Sequence, residues 1–69
     1  MARGWHQIVI KSGPRAIARA EMNVDPGDPK DFTESIKGYL KDHHLDHHLP
    51  VRVQIHNTSG KYLKEVHVK

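Results

Sequence analysis

Sixty-nine residues, 36% hydrophobic and 28% charged, make one domain spanning 1–69, near the lower size limit at which a core alone keeps a chain folded. The absence of cysteine excludes disulfides, Cys-type zinc sites and thiol catalysis, and it fits a reducing compartment, expected here to be the cytoplasm. The net charge of +3 hides an asymmetry: four bases and no acid lie in residues 1–20, seven acids face Lys30, Lys37 and Lys41 in residues 21–49, and the last twenty residues are basic again.

Residues 5–11, "WHQIVIK", are rich in β-branched and aromatic side chains and read as a strand. The run Ile8-Val9-Ile10 is too short for the apolar core of a signal peptide, and no stretch approaches the ~20 apolar residues that span a bilayer. Ser12-Gly13-Pro14-Arg15 is turn chemistry. "AIARAEM", residues 16–22, is rich in helix formers. Its period of two, with Ala16, Ala18, Ala20 and Met22 on one side and Ile17, Arg19 and Glu21 on the other, predicts a second strand closing a hairpin.

"NVDPGDP" interrupts regular structure. Asp28 is placed to cap a helix and Pro29 suits the first helical position, while Asp31 and Glu34 put negative charge near the positive end of the helix dipole. Phe32, Ile36, Tyr39 and Leu40 then form one apolar stripe, which His43 would extend. Leu45 falls on the opposite side, so the helix is expected to end near His43 or His44.

After Pro50, "VRVQIH", residues 51–56, alternates Val51, Val53 and Ile55 inward with Arg52, Gln54 and His56 outward. Asn57-Thr58-Ser59-Gly60 reads as a turn, not as a glycosylation site. "KYLKEVHV", residues 61–68, is expected to return as the last strand, with Tyr62, Lys64, Val66 and Val68 on one side and the Lys64 stem snorkelling. The order ββαββ predicts an α+β domain: a four-stranded, mostly antiparallel sheet with one helix packed on one face. The spatial order of the strands does not follow from the pattern.

One helix covers one face, so the other is expected to stay open. It should present the bases Lys11, Arg19 and Arg52, the imidazoles His56 and His67, the amides Gln7 and Gln54, and the acids Glu21 and Glu65. Trp5, Val9, Ile17 and Leu63 are the apolar groups expected among them. The first reading is a protein contact or homodimer interface, with the apolar groups as anchors and Arg52 pairing across a two-fold axis. The second is nucleic acid, with Lys11, Arg19 and Arg52 on phosphates and Trp5 or the imidazoles stacking on bases. The plainest is an ordinary solvated sheet face. Trp5, Lys11, Arg19, Arg52, Gln54, His56 and His67 are the expected partner-binding residues.

"DHHLDHHL", residues 42–49, raises a third possibility. Were the helix to continue through residue 48, His43 and His47 would share one face four residues apart, as would His44 and His48. That spacing lets neutral imidazoles chelate zinc or nickel, with Asp42 and Asp46 as further ligands or orienting groups. The alternative is a solvated helix end, where histidines complement the dipole. Protonating all seven histidines would raise the formal charge from +3 to +10, a large swing near neutral pH.

Catalysis is not expected. Acid–base groups are present, but no Gly-X-Ser-X-Gly context surrounds Ser59, and a domain this small has little volume for a substrate pocket. The sequence thus predicts a binding module with no resident cofactor, no membrane contact and no small-molecule substrate.

Overall fold

A computed structural model describes residues 3–69. Strand β1 spans Gly4–Ser12 and β2 spans Arg15–Val24; helix α1 runs Pro29–Asp42, a 3-10 turn covers Asp46–His48, and β3 (Val51–His56) and β4 (Tyr62–Val68) complete the chain. The four strands form one antiparallel sheet in the order β2-β1-β3-β4, with α1 on one face, the α+β arrangement expected. β2 and β3 both run antiparallel to the β1 between them. The connection through α1 therefore returns the chain to the far side of β1.

Alternation decides which side chains the helix covers. Ile8 and Ile10 of β1, Val24 of β2, Val51, Val53 and Ile55 of β3 and Val68 of β4 are buried beneath Phe32, Ile36 and Leu40. Tyr39, Leu45, Leu49 and Val66 pack around the margin of this cluster. Burying a side chain of this kind contributes about 1.5–3 kcal/mol. Lys64 lies opposite the inward-facing Ile55, but it is exposed and not half-buried as expected, because the core cluster does not extend over it. Its Nζ donates to the Pro26 carbonyl at 3.3 Å.

Local chemistry sets the ends of the helix. The Asp28 carboxylate accepts from the Asp31 amide at 3.2 Å, and Pro29 opens the first turn. Arg3 pairs with Asp31 at 2.6 Å beside this end. At the other end His43 is the cap residue and His44 takes a left-handed conformation, φ 58°. The Leu45 amide donates to the Leu40 carbonyl at 2.7 Å and the His44 amide to Lys41 at 3.2 Å. These are the two bonds of a Schellman motif, with histidine where glycine usually sits and Leu45 as the apolar residue that packs back on the core.

The first hairpin turns through Gly13-Pro14, with Gly13 at φ 59°, the glycine position of a type II′ turn. In the second, Asn57 Oδ1 accepts from the Ser59 and Lys61 amides, each at 2.9 Å. Each hairpin carries a bulge on its edge strand beside the turn, and each bulge moves side chains from where simple alternation puts them. On β2 the register passes from Ile10↔Ala18 to Lys11↔Ala16, leaving Ile17 extra. Ile17 therefore packs against the core and Ala16 is exposed opposite Lys11, the reverse of the expected assignment. On β4 the register passes from Ile55↔Lys64 to His56↔Tyr62, leaving Leu63 extra. Tyr62 thus joins the open face instead of sharing a side with Lys64.

Candidate functional site

The helix-free face is organised in rows that run across the sheet. Moving from β2 to β4, one row reads Glu21, Gln7, His56 and Tyr62; the next Arg19, Val9, Gln54 and Glu65; the third Ala16, Lys11, Arg52 and His67. Trp5, opposite Asn23, lies beyond the first row. Strand pairing thus brings all seven expected partner-binding residues (Trp5, Lys11, Arg19, Arg52, Gln54, His56 and His67) onto one surface. Of the expected apolar anchors, Trp5 and Val9 lie on this surface, Ile17 packs against the core, and Leu63 is the unpaired residue of the β4 bulge, outside the rows.

The rows differ in character. Aromatic groups gather where β1 begins and β3 ends: His56 and Tyr62 meet edge-to-face with centroids 5.6 Å apart, and Trp5 stands two residues beyond Gln7. Tyr62 is the site residue that alternation missed. The signal that could have found it is its position directly after the Gly60 turn, where bulges reset register. Basic groups gather at the opposite end, around the Gly13-Pro14 turn. There the Arg52 guanidinium donates to the Gly13 carbonyl, so part of its hydrogen-bonding capacity holds the first hairpin to β3. Gln7 ties β1 to the second turn by donating to the Thr58 carbonyl at 3.2 Å.

Two carboxylates interrupt the cationic character. Glu65 receives the Gln54 amide at 3.5 Å and lies 3.6 Å from His67 Nε2, while Glu21 stands beside Arg19 in sequence register. A depression of ≈ 730 Å³ crosses the centre of the face, lined by Gln7, Val9, Arg19, Glu21, Gln54 and His56. It is shallow and open to solvent, whereas a small-molecule site usually encloses most of its ligand.

Among the described residues the large hydrophobic side chains left exposed are Trp5 at 58%, Tyr62 at 52% and Leu63 at 46%. Trp5 and Tyr62 both belong to the aromatic end of the open face, and Leu63 is the β4 bulge residue that follows Tyr62.

The histidine run does not form a helical chelate. Because α1 ends at Asp42 and His44 turns left-handed, His43/His47 and His44/His48 do not occupy successive turns of one helix. The His43 ring lies 4.3 Å from that of Tyr39, and His47 and His48 stack on each other at 4.2 Å. Among the described residues no group of three or more His, Asp or Glu side chains converges on a point that could hold a metal ion. Among the described residues no helix is long and apolar enough to cross a membrane.

No family model, curated protein or solved structure matches this chain.

Proposed function

We propose that this chain is a non-catalytic binding module, working in the cytoplasm, that docks a protein partner on its helix-free sheet face. The observation that carries the reading is the exposure of Trp5 and Tyr62 on the side of the sheet opposite the one α1 covers with the apolar core. Aromatic side chains with a polar handle, ringed by amides and imidazoles, are the groups that dominate protein–protein contacts. Trp5, Tyr62 and His56 act as anchors. Gln54, His67, Lys11, Arg19 and Arg52 supply the polar surround.

The second reading, nucleic acid on the same face, draws support from the row Lys11–Arg52–His67 beside Arg15. Glu21 and Glu65 weigh against it, because they set negative charge in the rows a phosphate backbone would have to follow.

A photo-crosslinking amino acid at Gln7, on the open face, and another at Lys37, on the solvent side of α1, test the proposal in cells. Protein adducts are expected from position 7, lost on Trp5→Ala, with none from position 37. Nuclease-sensitive adducts would shift the assignment to nucleic acid, and equal labelling from both positions would remove the face as the docking site.

A further inference from the structure

The order β2-β1-β3-β4 leaves two edge strands that, among the described residues, have no strand on their outer side, and such edges invite another strand unless they are blunted. Each edge carries one bulge near its start, at Leu63 on β4 and at Ile17 on β2. Beyond its bulge β4 has only Lys64–Val68, whereas β2 offers the longer uninterrupted run Ala18–Val24, which contains no proline. The helix also covers β2 incompletely. Val24 is buried, yet Ala18, Ala20 and Met22 are only partly so, and a depression of ≈ 440 Å³ opens between α1 and β2 beside Met22, Ser35, Gly38 and Tyr39.

The charges on β2 say what fits there. Arg19 and Glu21 are exposed on the open face, and neither enters a salt bridge among the described residues. When two copies of β2 pair antiparallel about a two-fold axis with both helices on one side, the axis must pass through a residue, because side chains alternate with period two. An axis at Ala20 sets Arg19 opposite the partner's Glu21, and Glu21 opposite the partner's Arg19. On the helix side it sets Ala18 opposite the partner's Met22, beside the depression. An axis at Arg19 or Glu21 instead sets like charges directly opposite each other, which is unfavourable.

We infer that β2 pairs with β2 of a second copy of this chain about an axis at Ala20, joining the two four-stranded sheets into one continuous eight-stranded sheet with both open faces on the same side. This goes beyond the docking proposal and does not depend on it, since Trp5 and Tyr62 stay uncovered.

Sedimentation equilibrium of the full chain, from micromolar to millimolar at low salt, gives the test. A dimer is expected. Arg19→Glu or Glu21→Arg alone, each turning two attractions into two repulsions, should weaken it by about tenfold. The double variant R19E/E21R exchanges the charges and should restore the original constant, which separates a charge effect across the seam from a general loss of structure; circular dichroism of the single variants should match the original. Trp5→Ala should leave the dimer unchanged, while amide exchange in residues 18–24 should slow as concentration rises. A monomer at all concentrations would overturn the inference. So would a dimer indifferent to both reversals, one not rescued by the double variant, or one lost on Trp5→Ala, which would place the contact on the open face.

Discussion

The same four strands build both sides of the sheet from alternate residues, yet the two sides obey different constraints. The helix side meets one demand, to be apolar wherever α1 covers it. Ile8, Ile10, Val53 and Ile55 meet it, and Lys64 stands outside the covered cluster, exposed, with its amine donating to the Pro26 carbonyl. On the open side each row across the sheet mixes charge, amide and aromatic groups, with Trp5 and Tyr62 left in solvent. The contrast separates residues whose identity stability dictates from residues that stability leaves unconstrained. It is in the second group that binding chemistry is to be sought.

Stability measurements can break or sharpen that contrast. The largest effect is expected at the centre of the closed side. Phe32→Ala removes a fully buried ring and should cost about 3–5 kcal/mol in urea unfolding, enough to leave a domain of this size largely unfolded. A loss below 1 kcal/mol would show that α1 is not what holds this face shut. Next comes the helix end, which belongs to neither side. His44→Gly relieves a left-handed conformation at a side-chain-bearing residue and should raise stability by about 0.5–1 kcal/mol. A loss of stability would instead mean that the imidazole makes a contact worth more than the strain. The smallest effect is expected on the open side: Trp5→Ala should leave the unfolding free energy within about 0.5 kcal/mol of the original. A large drop there would make Trp5 a structural residue and undercut its role as an anchor.

The histidine run shows how a conspicuous motif can mislead and what corrects it. Its repeat invites a helical chelate, but Leu45 on the wrong side of the helix was the more informative residue. In the structure it is the apolar residue that follows the left-handed turn and packs on the core. Histidine gives a weaker advance signal for that turn than glycine or asparagine, its usual occupants.

Short-range chemistry was readable from the chain. Alternation in "VRVQIH", the Asp28-Pro29 start, the stripe of Phe32, Ile36 and Leu40, and the glycine-bearing turns each depend on neighbours a few residues away, so the sequence carries them directly. Most of the open face followed, because burial of one side implies its complement. What the chain alone left undecided depends on partners distant in sequence. β1 lies between β2 and β3 only because of how the hairpins dock under α1, and the bulges at Ile17 and Leu63 are defined by the facing strand, not by the strand that carries them. Those two register shifts sent Ile17 inward and Tyr62 outward, and strand order made β2 an edge with Arg19 and Glu21 beside it. Pattern is a property of one segment, whereas register and edges are properties of a pair, and pairs exist only once the chain has folded.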